Sequence, residues 1–118
     1  MQGRAKFPRR ERLTKRREFL EVYEHAGKTA GREFICYVAQ QEGRGRKLGL
    51  AVSRKVGNAV VRNRVKRYIR EVYRTHRAEF ADDIYIVIIA RPSAAKLGYR
   101  ECEEALCGLF RSGEAFRA

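Results

Sequence analysis

The chain has 118 residues, with 27 Lys and Arg against 14 Asp and Glu, a formal net charge of +13, three Cys and no Trp. That length suits one domain around one core and excludes a multidomain enzyme. The longest strongly apolar run, Ile84 to Ala90, falls far short of the roughly 20 residues of a membrane-spanning helix, and the N-terminus is too charged for a signal peptide, so a cytoplasmic protein with no membrane contact is expected.

Residues 1 to 12 lack apolar periodicity and read as an extended basic arm, with Phe7 and Pro8 as its only anchors and order gained on binding. A short amphipathic helix follows, from a capping Thr14 through Phe19, Leu20, Val22, Tyr23 and Ala26, and stops at Gly27, the usual C′ residue. Glu33 to Gln40 is rich in β-branched and aromatic residues and reads as a strand. The polar, glycine-containing run Glu42 to Lys47 then suggests a hairpin turn into a return strand, Leu48 to Ser53, where Leu48, Leu50 and Val52 alternate with Gly49, Ala51 and Ser53. One face of that strand is bulky and the other nearly flat, and a flat face lets another chain approach closely.

From Gly57 to Arg77 the spacing of Val61, Val65, Tyr68, Ile69, Val72 and Tyr73 predicts a helix with one apolar stripe, capped by Asn58. Arg62, Lys66 and Arg70 follow one another at i, i+4 and i+8, with Arg67, Arg74 and Arg77 on or beside the same ridge and only Glu71 for relief. Like charges so spaced destabilise an isolated helix by a few tenths of a kcal/mol per pair, so apolar packing or a bound anion must outweigh them. After Asp82 and Asp83, the run IYIVIIAR is continuously apolar and predicts a strand inside the sheet, covered on both faces. Arg91, Pro92 and Ser93 break it, and a last helix from Leu97 to Arg111 buries Tyr99, Cys102, Leu106, Leu109 and Phe110, leaving 112 to 118 as a tail. Strand, helix and strand from 48 to 90 make a βαβ unit.

The charge is not spread evenly. Residues 1 to 17 carry a net +7 and residues 54 to 77 a net +8, which leaves −2 for the rest of a chain whose total is +13. A face charged only for solubility would not be so concentrated, and localised basic charge is the footprint of nucleic-acid binding. Of the 27 basic residues 20 are Arg, the side chain that grips phosphate bidentately and stacks on bases.

No protein active site is legible. His25 and His76 both lie near helix ends without an evident partner, where histidines ordinarily meet only terminal carbonyls, and no phosphate loop, paired-acid site or metal motif is present. Cys102 and Cys107, five apart, lack ligand-spaced partners, so buried free thiols are expected in place of a disulfide frame or a zinc site. Phe19 and Tyr23, at i and i+4, and Tyr37 on the first strand have two readings: core packing, or a stacking platform for unpaired bases.

The run SRKVGNAVVRNRVKRYIREVYR, Ser53 to Arg74, closely resembles the protein subunit of bacterial ribonuclease P, whose hallmark is an RNR-centred helix entered through K-x-G-N-A-V-x-R-N-R. Lys55, Gly57, Asn58, Ala59, Val60, Arg62, Asn63 and Arg64 fill that pattern without a gap, and the resemblance extends over about residues 12 to 111. It implies a single two-layer α+β domain of order αβββαβα with a left-handed βαβ crossover, similar to a small-subunit ribosomal protein and to domain IV of elongation factor G. The general rule for such units gives the right-handed crossover, and the length of the match favours the family's hand. Only three strands are evident here, so a fourth is expected around Lys28 to Cys36 or Arg44 to Ser53.

The resemblance further implies a protein whose partners are a catalytic RNA and the 5′ leader of precursor tRNA. That RNA performs the cleavage with Mg2+ ions bound mainly to itself, and no protein partner is required. Arg54, Lys55, Asn58, Arg62, Asn63, Arg64, Lys66, Arg67 and Arg70 would face RNA, and Phe19, Tyr23, Tyr37 and Ser53 would form a leader cleft floored by Gly49, Ala51 and Ser53. The alternatives are a ribosomal-type structural RNA binder using the same helix, and a self-sufficient ribonuclease relying on a histidine.

Overall fold

The computed structural model describes residues 7–117, so the first half of the predicted arm lies outside the described residues. Three helices and four strands follow in the order α1 (Arg16–His25), β1 (Gly27–Ala30), β2 (Phe34–Gln40), β3 (Lys47–Ala51), α2 (Ala59–Thr75), β4 (Ile84–Ala90) and α3 (Tyr99–Ser112). The result is an α+β domain of order αβββαβα.

The sheet runs β1-β2-β4-β3, with β1 and β2, and β2 and β4, antiparallel and β3 and β4 parallel. The predicted hairpin between the second and third strands is therefore replaced by one between β1 and β2. The cause is β4: its apolar run is too costly to leave at an edge, and it takes the central position between β2 and β3. The polar run after β2 crosses the start of β4, with Gly43 and Gly45 at φ +79° and +77°. Asp83 holds the crossing, its carbonyl accepting from Gln41 N–H and its carboxylate from Gly45 N–H, at 2.8 and 2.9 Å.

Register sorts the side chains into two faces. Phe34, Cys36, Val38, Leu48, Leu50, Ile84, Ile86, Ile88 and Ala90 point to the face covered by α2 and α3, whose stripes contribute Val65, Ile69, Val72, Tyr73, Cys102, Leu106, Leu109 and Phe110. Each fully buried aliphatic or aromatic side chain in such a layer contributes about 1.5–3 kcal/mol. The other face is covered only in part, by α1, where Val22 and Leu13 pack on Ala39, Tyr85 and Val87.

Both boundaries of α1 differ from expectation, and α3 starts at Tyr99, two residues after the expected Leu97. α1 begins one residue later, with Lys15 at the cap position, because the Glu18 carboxylate reaches back to the N–H groups of both Thr14 and Lys15 at 3.3 Å. It ends without a left-handed glycine: Ala26 is extended at φ −90° and ψ 152°, and Gly27 enters β1 directly.

Candidate nucleic-acid interface

The apolar stripe of α2 decides where its charge goes. Asn58 Oδ1 accepts from the Val61 N–H at 3.0 Å, which fixes the first turn. With Val65, Ile69, Val72 and Tyr73 buried in the core, Asn63, Arg67 and Arg70 are exposed, and Arg62, Arg64 and Lys66 are partly exposed beside them. Arg54 and Lys55 are exposed in the turn that enters the helix, anchored by the buried Val56.

Ion pairing separates the basic residues of this segment into two groups. Arg74 pairs with Glu71 and Arg77 with Glu11. Among the described residues, Arg54, Lys55, Arg62, Arg64, Lys66, Arg67 and Arg70 have no carboxylate within ion-pair distance. Three candidate residues also hold local structure: Asn58 by its cap, Arg62 through Nη1 to the Gly57 carbonyl at 3.0 Å, and Arg64 through Nη2 to the Ala95 carbonyl at 2.5 Å. Arg64 thus ties α2 to the turn Pro92–Lys96 that follows β4.

On the partly covered sheet face, register places Lys28, Tyr37, Val87 and Gly49 in one row and Ala30, Ile35, Ile89 and Ala51 in the next. Tyr23 from α1 and Tyr37 meet edge to face, with ring centroids 5.0 Å apart and planes at 72°, and Tyr23 is 38% exposed. Burial, and then the neighbouring Tyr37, hold the Tyr23 phenol above its ordinary pKa, so it stays neutral.

Phe19 has a different setting. It packs on the α1 side of the core, directly over Gly49, so the flatness of β3 at Gly49 serves the chain's own packing and leaves no open floor there. The partly exposed floor is instead Ala51 with Ile35 and Ile89. Ser53 lies past the end of β3, exposed, its Oγ accepting from the Lys55 N–H at 3.3 Å. Ile35 and Ile89 were not singled out by the sequence; Ile89 is the one residue of β4 that is not fully buried, and an unbroken apolar run carries no mark of it.

The histidine expectation needs correction for one of the two. His76 sits between Glu79, 2.5 Å from Nδ1, and Glu103, 2.8 Å from Nε2. These partners come from the turn after α2 and from α3, and the ring links those elements. Cys36, Cys102 and Cys107 are free and buried. Burial pushes the Cys36 thiol up to about 12 and Cys102 to about 11, so neither ionises near neutrality. Among the described residues no three His, Cys, Asp or Glu side chains gather to hold a metal ion, and no helix is long and apolar enough to cross a membrane.

An α+β domain with seven basic groups that lack acidic partners among the described residues, on and before one helix, and an aromatic pair on a half-covered sheet face, defines a polyanion-binding module. Its family follows from comparison. The family model described as Ribonuclease P matches residues 7–113. The ribonuclease P protein component of Exiguobacterium sibiricum is 43% identical over 104 residues, 86% of this chain and 90% of that one. That of Geobacter sp. strain M21 is 41% identical over 108 residues, 90% of each. The solved ribonuclease P protein of Staphylococcus aureus superposes with a TM-score of 0.84 at 30% identity, covering 91% of this chain and 98% of that one. The one from Thermotoga maritima gives 0.76 at 28% identity, over 86% and 96%.

The chain belongs to the ribonuclease P protein component family. It is a subunit of that endoribonuclease, which acts in tRNA processing, and the ribosomal-type alternative is not favoured.

Proposed function

We propose that α2 and its entry turn dock this subunit onto the catalytic RNA of ribonuclease P, and that the sheet face beside α1 holds the single-stranded 5′ leader of precursor tRNA. The supporting observation is the set of seven basic groups without carboxylate partners at Arg54, Lys55, Arg62, Arg64, Lys66, Arg67 and Arg70. No carboxylate among the described residues relieves repulsion within this set, and RNA phosphates relieve it while releasing counterions. Such contacts fix position and carry no sequence information.

The leader reading rests on the Tyr23 and Tyr37 pair beside Ile35, Ile89 and Ala51, with Lys28 at the sheet edge on the row of Tyr37. Aromatic rings next to a partly open apolar floor and a cation suit unpaired nucleotides. In this account cleavage and its Mg2+ ions belong to the RNA, and the protein places positive charge where two RNA strands approach each other. Adding the chain to a cognate ribonuclease P RNA at low magnesium should accelerate release of the leader. An RNA whose rate at low magnesium is the same with and without the protein would refute the proposal.

A further inference from the structure

Residues that the sequence assigned to a loose arm are built onto the end of α2. The Phe7 ring lies 5.4 Å from that of Tyr73, and Glu11, only 6% exposed, accepts from the Tyr73 hydroxyl at 2.6 Å and pairs with Arg77. Arg12 bridges to Leu48 at the start of β3, and the Leu13 N–H donates to the Leu48 carbonyl at 2.9 Å. With Arg46 Nε 3.9 Å away as a third polar partner, this buried carboxylate is unlike a segment that orders only on binding.

The consequence is the position of Arg12. Its guanidinium lies 5.0 Å from the centre of the Phe7 ring and donates through Nη2 and Nε to the Phe7 carbonyl at 2.9 and 3.3 Å, which leaves Nη1 free on an exposed side chain. Phe7 also meets Tyr73, three residues beyond Arg70 on α2, so Arg12 is held near the end of α2 that carries Arg70. Among the described residues neither has a carboxylate within ion-pair distance. Partial desolvation, and then the charge of Arg12, push the Arg70 guanidinium below its ordinary pKa, in keeping with that proximity.

We propose that Arg12 and Arg70 together bind one backbone phosphate of RNA, extending the ridge of Arg62 and Lys66 from α2 onto the N-terminal segment. Two guanidinium groups present fixed N–H forks to a tetrahedral anion, a geometry that the point charge of an ammonium group matches less well. The proposal rests on the RNA-docking reading of α2, and Arg12 is an addition to it.

The test titrates the full chain against transcribed ribonuclease P RNA, without substrate, at 50 and 200 mM salt. The unmodified protein should lose affinity steeply, by roughly 10³ to 10⁵ for about 6 to 10 phosphate contacts. Arg12→Gln and Arg70→Gln should each lose roughly three- to fourfold less over that range, as expected for one phosphate contact fewer. The double variant should resemble either single one, because the pair shares one phosphate, and Arg12→Lys should keep most of the slope. Arg100→Gln on α3 should change nothing. If Arg67→Gln flattens the slope while Arg12→Gln leaves it intact, the pair is wrong and the docking reading stands. Fully additive effects of Arg12→Gln and Arg70→Gln would likewise overturn the shared site. A shallow slope in the unmodified protein would overturn both readings.

Discussion

A Cβ added to Gly49 would lie 2.7 Å from Phe19 Cε1 and 3.0 Å from Leu13 Cβ, so α1 sits as low on the sheet as it does because β3 has no side chain at that point. Gly49→Ala should therefore push the Phe19 ring outward and destabilise the fold by about 1–3 kcal/mol. Urea unfolding measures it. A midpoint equal to that of the unmodified chain would mean that α1 is not held at this depth.

Tyr73 should be more sensitive than a tyrosine inside a helix ordinarily is. Its hydroxyl donates to the buried Glu11 carboxylate at 2.6 Å and accepts from Arg46 Nε at 3.0 Å, while burial and then Glu11 hold its pKa above the usual value. Tyr73→Phe keeps the ring packing and removes both hydrogen bonds, each to a charged group and each worth about 1.5–3 kcal/mol. Equal stability of the two proteins in urea would show that the segment around Glu11 is not docked as described.

Gly108 offers a gain. It lies in the interior of α3, exposed, and a Cβ there would meet nothing within 4 Å. Gly108→Ala should raise stability by roughly 0.5–1 kcal/mol by limiting the unfolded chain and favouring the helix. A lowered melting temperature would contradict an open site.

The His76 clamp predicts a pH dependence. Burial disfavours the imidazolium, yet hydrogen bonds to Glu103 and Glu79 and their charges outweigh it and raise the pKa above 6.5. A raised folded-state pKa means the stabilisation is fully present below the unfolded value and is lost as pH rises through the folded one. Tyr99 and Cys107 are the other titratable groups that face these carboxylates, and burial first of all raises both above their ordinary values and so out of that window. Melting should fall from pH 6 to pH 8.5 more in the unmodified protein than in His76→Gln, the difference being on the order of 0.5–1 kcal/mol for partly exposed pairs. Parallel curves would contradict the clamp.

Legibility in the sequence followed how local each determinant is. α2 was readable because stripe, cap and charge all lie within one segment, and the Asn58 cap and the buried Val65, Ile69, Val72 and Tyr73 stand where the spacing placed them. β1 was hard to read because four residues, Gly27–Ala30, form an edge strand that is mostly exposed and has no apolar alternation. Strand order depends on competition for the covered position, which pairs β4 with both β2 and β3 and leaves no local signal for a hairpin that does not form. The remaining misses are contacts between distant segments: Glu11 with Tyr73, His76 with Glu103, and Arg64 with the Ala95 carbonyl. Arg64 lies off the apolar stripe and yet joins two elements, so its replacement should weaken the fold as well as RNA binding, unlike that of the exposed Arg67.

The central claim is that one surface of this subunit holds the leader while another holds the catalytic RNA. The most direct measurement compares the affinity of the reconstituted ribonucleoprotein for leader-bearing precursor tRNA and for mature tRNA, using Tyr23→Leu and Tyr37→Leu, which keep apolar bulk and remove the stacking ring. If each ring stacks on one base, worth about 1–3 kcal/mol, precursor affinity should fall by roughly 5- to 150-fold with mature tRNA affinity unchanged. Equal losses for both RNAs, or none for the precursor, would contradict the account.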